Sequence, residues 1–311
     1  MRKHVVRLLL VLGLTAVAFS KPYEIVEKEN AVTMLYHGQT LWAYHHDPAE
    51  GKPYFHPLSA TDGTLFTDLR PEDHPWHRGV WFSWKGINGV NYWEEDRKTG
   101  TSDGETRIVQ MKRRVSETQT IQLEFDIDYV PTETNAVVMK EHRRVIVSPP
   151  DKTGTYRIDW SSTFQALDQD VILTRTPPLN KPNGKAWGGY AGWSVRMNKG
   201  VMGGVFINSH GVEGADRQPA TWMLFKAPQG GSLLFMDHPQ NLNYPVKWYL
   251  APDMPYFNPA VIHDAPHTIK AGQTLRLCYR LVIAPGLWDD DRALKAWNAW
   301  IGATESKIKQ D

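Results

Sequence analysis

The alternation of apolar and polar residues over short stretches restricts the fold of this chain more than any other feature. Between residues 275 and 283 every second position is apolar, and Arg276, Cys278 and Arg280 lie between the apolar positions. Successive side chains of a β-strand point to opposite faces, so this pattern predicts a strand with one buried face. Similar short runs, broken by Gly, Pro, Asn and Asp, continue from Lys21 to about Pro285 and predict antiparallel strands joined by turns.

Several other segments have the length and pattern of strands. They lie at residues 105–130, 135–147, 156–161, 201–208, 221–227 and 232–237. No low-complexity linker interrupts this region, so we expect one domain over residues 21–311. The sequence therefore predicts an all-β fold in which two large antiparallel sheets stack as a sandwich.

One segment near the end of the chain has the pattern of a helix. Three consecutive acidic residues, 289–291, precede a run in which Leu294, Trp297 and Trp300 or Ile301 recur at spacings of three or four. Acidic residues favour a helix N-terminus, and this spacing places the apolar side chains on one face. We expect a short C-terminal helix over about residues 289–303, packed on the outside of the sheets.

The first twenty residues resemble a secretory signal peptide. Arg2, Lys3 and Arg7 precede an apolar stretch, and Ala18 and Ser20 are small residues at the positions expected before a cleavage site. A retained membrane anchor is the alternative, although the apolar stretch is short for it. We therefore expect cleavage after Ser20 and a periplasmic or secreted protein. No later apolar run approaches the roughly 20 residues that span a bilayer.

The charge and cysteine content exclude further classes. The whole chain has 35 basic and 34 acidic residues, and removal of the signal peptide leaves 32 against 34. This balance argues against a nucleic-acid partner, which requires a basic face. The single cysteine, Cys278, allows no intramolecular disulfide and no thiolate metal cluster.

The densest group of ionisable residues lies between residues 70 and 79. It contains the catalytic candidates His74, His77 and Arg78 and the substrate-binding candidate Arg70. His56, in the earlier segment 54–57, is a further substrate-binding candidate. Two prolines restrict the backbone of residues 70–79, and fixed imidazoles suit general acid–base catalysis. The alternative is a surface loop with solvated charges.

The same histidines allow a weaker metal hypothesis. His56, His74 and His77 would form a three-histidine set suited to zinc or copper. The spacing of two histidines in a loop does not place both rings on one side, so we expect no metal or other cofactor in the first instance.

Tryptophans next to polar residues suggest a sugar site. The catalytic candidate Glu94 follows Trp93, and Asn88 and Trp81 lie nearby in the sequence. An aromatic ring can cover the C–H face of a pyranose while a carboxylate accepts hydrogen bonds from its hydroxyls. We expect Asn88, Trp81 and Trp93 to bind substrate, although strand ends with core tryptophans give the same pattern.

The second half of the chain adds further candidates in strand-end segments, where β-sandwich proteins often carry function. We expect catalytic roles for Asp237 and His238, and substrate-binding roles for Trp187, Arg196, His210, Asp216, Asn241 and Asn258. Glycine bulges and Asx turns are the structural alternatives. The chain contains no GxSxG, P-loop, GxGxxG or HExxH motif, so nucleotide-dependent and serine-hydrolase functions have no motif support.

Taken together, these segments resemble a bacterial domain family. The segments are 54–57 (YFHP), 62–63, 70–79 (RPEDHPWHRG), 88–89, 93–95, 237–241 and 256–258. They are similar to the family of unknown function that carries the label methane oxygenase PmoA, over nearly the whole mature chain. The label itself conflicts with the sequence, because the membrane subunit of methane monooxygenase is polytopic.

The resemblance implies a secreted domain similar to the galactose-mutarotase β-supersandwich. In mutarotase-like enzymes a His acts as general acid and a late Glu as base. His77 or His74 matches the acid, whereas no Glu matches the base, so Asp216, Asp237 or Glu94 would have to replace it.

Three functional hypotheses follow. The first is an enzyme that acts on a sugar or oligosaccharide as an epimerase, hydrolase or lyase, with acid–base catalysis centred on His77. The second is a non-catalytic carbohydrate-binding module with a platform of tryptophans, 81, 84, 93, 187 and 193. The third is a His-liganded metalloenzyme.

Overall fold

A computed structural model describes residues 22–308, so the expected signal peptide at residues 1–20 lies outside the described residues. Two short 3-10 helices span Pro48–Glu50 and Lys199–Val201. The other elements are β1 (Tyr23–Lys28), β2 (Ala31–Tyr36), β3 (Gln39–His45), β4 (Tyr54–Leu58), β5 (Val80–Ser83), β6 (Gly86–Ile87), β7 (Val90–Asn91), β8 (Gly104–Val115), β9 (Ile121–Pro131), β10 (Met139–Val147), β11 (Tyr156–Ala166), β12 (Val171–Thr174), β13 (Gly192–Arg196), β14 (Val205–Asn208), β15 (Trp222–Lys226), β16 (Ser232–Asp237), β17 (Trp248–Ala251), β18 (Tyr256–Pro259), β19 (His267–Ile269), β20 (Thr274–Ala284) and α1 (Asp290–Ile308).

Within residues 22–308 the strands form three sheets. The first sheet has the order β1-β2-β3-β4-β5-β13-β18-β17, and the second has the order β14-β15-β16-β20-β11-β10-β9-β8. A smaller third sheet has the order β19-β12-β6-β7. This arrangement confirms the all-β, sandwich-like fold with one C-terminal helix.

The main core lies between the two large sheets. From the first sheet, Val80 and Phe82 of β5 enter this core, and from the second sheet Leu277 and Leu281 of β20 do so. The predicted alternation of β20 is therefore confirmed. Burial of apolar side chains from both inner faces is what stabilises a β-sandwich.

The helix covers the outer face of the second sheet, as the sequence predicts. Trp222 of β15 and Met236 of β16 form a second apolar cluster with Ala293 and Trp300 of α1. The helix extends to Ile308, beyond the expected end near residue 303. Ala293 is buried whereas Leu294 is 47% exposed. The apolar face of the helix therefore contains position 293 instead of the predicted position 294.

Several predicted strands have different limits in the structure. The strand expected at 135–147 begins at Met139, and the one expected at 156–161 extends to Ala166. Residues 105–130 form a hairpin of two strands, β8 and β9, rather than one strand. The segment 201–208 begins in the second 3-10 helix, and only β14 is extended. Among the described residues, no helix is long and apolar enough to cross a membrane.

Candidate functional site

The outer face of the first sheet carries a third apolar cluster, made mostly of aromatic side chains. Trp81 of β5, Tyr249 of β17 and Tyr256 of β18 belong to it. Their neighbours Phe82 and Phe257 point to the opposite face and enter the main core. Because strand side chains alternate, a strand that is aromatic at consecutive positions supplies both the core and this outer face.

Loops cover part of this outer face and leave a cavity of about 560 Å³, which we call the aromatic cavity. Its lining residues are His74, Trp76, His77, Trp93, Glu94, Trp187, Tyr190, Tyr249, Ala251, Met254 and Tyr256. Ligand sites are commonly concave, mostly apolar and equipped with a few convergent polar groups. This cavity has those properties, and it brings together the predicted residues His74, His77, Trp93, Glu94 and Trp187.

The loop that carries the two histidines is folded by short-range backbone hydrogen bonds. The His74 N–H donates to the Pro71 carbonyl, and the His77 N–H donates to the His74 carbonyl, both at 3.0 Å. Gly79 ends the loop with φ = 62°, and a Cβ atom there would lie 2.2 Å from the carbonyl oxygen of Phe55. A glycine is therefore required for the loop to enter β5 against β4.

His74 is held by a chain of polar contacts that ends in the protein interior. Its Nδ1 atom donates to Asp73 Oδ2 at 2.9 Å. The buried Arg196 donates from Nη2 to both oxygens of the same carboxylate, at 2.8 and 2.7 Å. Burial raises the pKa of Asp73, but the hydrogen bonds from His74 and Arg196 outweigh this effect and lower it to about 2. The carboxylate is therefore charged and fixes the His74 ring.

His77 lies deeper than His74 and has little contact with solvent. Its side chain is 2% exposed, and its ring stacks on those of His74 and Tyr256, with centroids 4.7 and 5.3 Å apart. Burial, followed by the charges of His74 and Arg196, holds the pKa of His77 well below its usual value. The Nδ1 atom has no hydrogen-bond partner among residues 22–308. His77 is therefore a neutral imidazole at the edge of the cavity.

Glu94 is the carboxylate of the cavity lining. Its Oε1 atom accepts a hydrogen bond from the Tyr190 hydroxyl at 3.2 Å, and its Oε2 atom forms an ion pair with Lys85. The Glu94 N–H and the Trp93 N–H both donate to the side-chain oxygen of Asn91. This Asx turn fixes the direction in which the two side chains enter the cavity.

A buried cluster of charges lies next to the cavity residues. Glu95 Oε1 lies 2.6 Å from Arg78 Nη1 and 3.2 Å from Lys52 Nζ, and Glu95 Oε2 lies 3.1 Å from Arg70 Nη1. Lys52 also donates to the Trp93 carbonyl at 2.9 Å. Burial, together with the charge of Arg78, lowers the pKa of Lys52 to about 7. Arg70 and Arg78 therefore support the Trp93–Glu94–Glu95 segment instead of lining the cavity.

Several predicted binding residues lie beside or beneath the aromatic cavity. Trp81 is buried against the rings of His77 and Trp93. Asn258 is buried and donates from Nδ2 to the Ala191 carbonyl. Two tryptophans of the predicted platform, Trp84 and Trp193, belong to the main core and not to this face.

The predicted residues near positions 88, 210 and 216 have local hydrogen bonds of their own and do not line the aromatic cavity. Asn88 occupies a tight turn with φ = 52° and accepts a hydrogen bond from the Ile172 N–H. The His210 N–H donates to the Asn208 side chain, and Asp216 Oδ1 accepts from the Leu250 N–H.

The late Asp-His pair is also separate from the aromatic cavity. Asp237 is fully buried, accepts from Asn241 Nδ2 at 2.7 Å and accepts from the Val246 N–H at 3.2 Å. Burial outweighs these hydrogen bonds and raises the pKa of Asp237 to about 7. His238 lies in a second depression, and its ring is 5.2 Å from that of Trp300. His238 follows the end of β16, and its Nδ1 atom accepts from the Gln240 N–H, so the two side chains have separate partners and do not form a catalytic pair.

The three histidines of the metal hypothesis do not form a ligand set. His56 is in β4, where its Nδ1 atom lies 3.1 Å from Thr67 Oγ1, and it does not line the aromatic cavity. In the part of the chain that the structure describes, no group of three or more His, Cys, Asp or Glu side chains is arranged to hold a metal ion.

Several residues of the site were not predicted from the sequence. They are Asp73, Trp76, Tyr190, Tyr249, Met254 and Tyr256. The sequence does contain one indication of Tyr249 and Tyr256. In β17 and β18, aromatic or large apolar residues occupy consecutive positions, as expected for strands buried on both faces.

Sequence comparison identifies the family to which the chain belongs. Residues 31–298 match a family model described as "Family of unknown function (DUF6807)". The chain belongs to this family. The description of DUF6807 contains no reference to methane oxygenase, so that label gains no support. No curated protein matches the chain.

Among solved structures, the alpha-galactosidase from Lactobacillus brevis is similar to this chain with a TM-score of 0.41 and 9% sequence identity. The alignment covers 85% of this chain and 39% of the alpha-galactosidase chain. At this degree of similarity nothing about activity follows.

Proposed function

We propose that this protein is a secreted, carbohydrate-active enzyme that binds a sugar in the aromatic cavity and uses His74 for acid–base catalysis. One observation carries the proposal: the His74–Asp73–Arg196 chain opens into a cavity whose wall is mainly aromatic. Secretion depends on the N-terminal sequence pattern alone.

The wall of the cavity suits a sugar ring. Six of the eleven lining residues are tryptophan or tyrosine, and Trp187 is 58% exposed. A pyranose has apolar C–H faces that stack on such rings, and its hydroxyls require a few polar partners. Glu94, Tyr190 and His74 supply those partners. The volume is within the range of about 300–1,000 Å³ that is usual for small-ligand sites.

The arrangement around His74 suits proton transfer. Because Nδ1 donates to Asp73, the neutral ring has Nε2 free to accept a proton from a ligand. The Asp73 carboxylate stabilises the imidazolium that then forms, and Arg196 keeps the carboxylate in place. Epimerisation, hydrolysis and elimination at a sugar all require a positioned acid and base, and His74 and Glu94, which both line the cavity, are the candidates for these roles.

A non-catalytic carbohydrate-binding protein is the second candidate. The contacts of Glu94 favour it, because its two carboxylate oxygens already bind Lys85 and Tyr190. A carboxylate held in this way has a fixed orientation and can accept hydrogen bonds from the hydroxyls of a ligand through its remaining lone pairs.

A pair of variants separates the two candidates, after a binding screen of the mature protein against monosaccharides, uronic acids and oligosaccharides. His74→Gln should abolish turnover of the bound sugar while its Kd changes less than about threefold. His142→Gln is the matched control, because His142 Nδ1 also lies 2.8 Å from a carboxylate, Asp126, but on an open surface. Full turnover in the His74 variant would contradict the catalytic proposal, and the absence of binding to any sugar would contradict both candidates.

A further inference from the structure

The second depression, on the outer face of the second sheet, is lined by three arginines. They are Arg144 of β10 and Arg276 and Arg280 of β20, and α1 contributes Trp300 and Ala303. The depression has a volume of about 370 Å³, within the range of about 300–1,000 Å³ that is usual for small-ligand sites. It shares no lining residue with the aromatic cavity, so it is a separate site.

The register of the strands places the three arginines around one point. Arg144 lies opposite Ser161 of β11, and Ser161 lies opposite Cys278 of β20. Arg276 and Arg280 are two residues before and two residues after Cys278, on the same face of β20. Neighbouring strands are about 4.8 Å apart, and residues i and i+2 of a strand are about 7 Å apart. Side chains as long as arginine reach across such distances, so the three guanidinium groups surround the space above Ser161 and Cys278.

Arg280 is held in place by other groups of the protein. Its Nε and Nη2 atoms donate to the two carboxylate oxygens of Asp159, and its guanidinium lies 5.3 Å from the centroid of the Trp300 ring. Arg157 lies 3.5 Å from the same carboxylate. Among the lining residues that the structure describes, Asp159 is the one carboxylate. It is therefore already paired with two cations.

Arg144 and Arg276 have no such carboxylate partner. Both side chains are exposed, and neither forms an ion pair within residues 22–308. The Arg144 Nη2 atom donates to the side-chain oxygen of Gln122 at 2.7 Å. Glu124 faces Arg144 across the β9–β10 pair, but it does not line the depression and accepts from Gln122 Nε2 at 2.6 Å. The two guanidinium groups therefore keep charged N–H donors for a ligand.

Neutral polar groups of the lining can donate as well. The Nδ1 atom of His238 accepts from the Gln240 N–H at 3.2 Å, so the neutral ring carries its proton on Nε2. Burial, followed by the charge of Arg276, lowers the pKa of His238, which favours the neutral ring. The hydroxyl of Ser161 and the side-chain amide of Gln240 are further donors in the lining.

We infer that the second depression binds a tetrahedral oxyanion, the phosphate or sulfate group of a small ligand. A guanidinium group presents parallel N–H donors that match two oxygens of such an anion. Three guanidinium groups around one point suit an anion with at least three oxygens. A carboxylate has two oxygens, and one arginine satisfies both, as Arg280 does for Asp159. The inference is independent of the proposed function because it depends on other residues.

The test is an NMR titration of the mature protein with inorganic phosphate, inorganic sulfate and acetate. Sodium chloride keeps the ionic strength constant, so that screening is equal in all samples. The indole N–H signal of Trp300, assigned from the Trp300→Phe variant, reports on the depression. Phosphate or sulfate should shift this signal saturably with a Kd of at most about 5 mM, and acetate should bind at least about fivefold more weakly.

A double variant locates the binding. Arg144→Gln with Arg276→Gln should raise the Kd of the tighter ion at least about tenfold, because it removes two charged donor groups. Lys140→Gln with Lys152→Gln is the control, since it removes two exposed positive charges that do not line the depression. The control should keep the Kd within about twofold of the parent. All four side chains are exposed, so the melting temperature of both variants should stay within about 2 °C of the parent.

The outcomes are distinct from those for the aromatic cavity. The absence of a saturable shift, equal affinity for acetate, or an equal loss of affinity in both double variants would overturn the inference. Tighter binding of sulfate would identify a sulfate group as the preferred ligand, and tighter binding of phosphate would identify a phosphate group; either result supports the inference. His74→Gln should leave this titration unchanged, and failure of every sugar to bind would overturn only the proposed function.

Discussion

The Nδ1 atom of His74 donates a hydrogen bond to Asp73 Oδ2 at 2.9 Å, which aligns the ring at the wall of the aromatic cavity. Arg196 binds the same carboxylate from the buried side. An imidazole oriented by a carboxylate is a common arrangement for proton transfer, because the carboxylate fixes the tautomer and stabilises the charged ring. His74 is therefore a better candidate for proton transfer than His77, which is buried and neutral.

Asp73 should act as a positioning residue for His74. In Asp73→Asn the side-chain amide can still accept from Arg196 but no longer stabilises a positive imidazole. We expect kcat for the bound sugar to fall on the order of 100-fold, with a Kd within about threefold of the parent. Asp126→Asn, at the exposed His142 pair, is the control and should leave both constants unchanged. A parent-like kcat in Asp73→Asn would remove the carboxylate from the mechanism.

Glu95 should be important for stability because three cations depend on it. Glu95→Gln removes the nearest counter-charge of the buried Lys52 and Arg78 and leaves only Glu50, 3.9 Å from Arg78 Nε, and losses of a buried partner cost about 3–5 kcal/mol. Glu105→Gln is the control, since Glu105 and Arg107 form a solvent-exposed pair that should contribute less than about 1 kcal/mol. Urea unfolding of the two variants measures the difference. Equal free energies of unfolding would show that the buried cluster is not needed for stability.

Asp237 should make the stability of the protein depend on pH. Burial raises its folded-state pKa to about 7, against about 4 in the unfolded chain. Between these values the unfolded chain loses a proton that the folded protein keeps, so this carboxyl makes the protein less stable as the pH rises from about 4 to about 7.

Replacement of Asp237 by asparagine removes the contribution of Asp237 to the pH dependence of stability and leaves the contributions of the buried histidines in place. The melting temperature of Asp237→Asn relative to the parent should be higher at pH 7.5 than at pH 4.5, by on the order of 5 °C. Thermal unfolding at the two pH values provides the comparison. A difference that stays constant with pH would mean that Asp237 titrates normally.

Trp187 should contribute to sugar affinity without contributing to the core. Its ring is 58% exposed at the cavity wall, so Trp187→Ala should weaken sugar binding by roughly fivefold and change the melting temperature by less than about 2 °C. Leu179→Ala is the matched control, because Leu179 is 71% exposed and does not line the cavity. Equal sugar affinity in both variants would contradict a stacking role for Trp187.

The sequence was informative wherever the relevant contacts are local. The alternation around β20 and the acidic start of α1 follow from the geometry of single elements, so the sandwich and its helix could be predicted. The loop of residues 70–79 also folds through contacts within a few positions, and it does contribute His74 and His77 to the cavity.

The composition of the site could not be predicted in full because it depends on strand pairing. Asp73 and Arg196 are 123 positions apart, and Glu94 and Tyr190 are 96 apart. These pairs meet because β13 lies between β5 and β18 in the first sheet, an order that local patterns do not encode. Conversely, Asp237 and His238 are adjacent in sequence, yet Asp237 binds Asn241 in the interior and His238 lines the second depression.

The position of sugar binding is the central claim, and the indole N–H signals of the tryptophans test it most directly. In a heteronuclear NMR titration with the tightest sugar of the screen, the signals of Trp76, Trp93 and Trp187, assigned by single Trp→Phe variants, should shift in proportion to saturation. The signal of Trp300, in the second depression, should remain in place. Shifts confined to Trp300, or no shift of any indole at saturating sugar, would contradict the account.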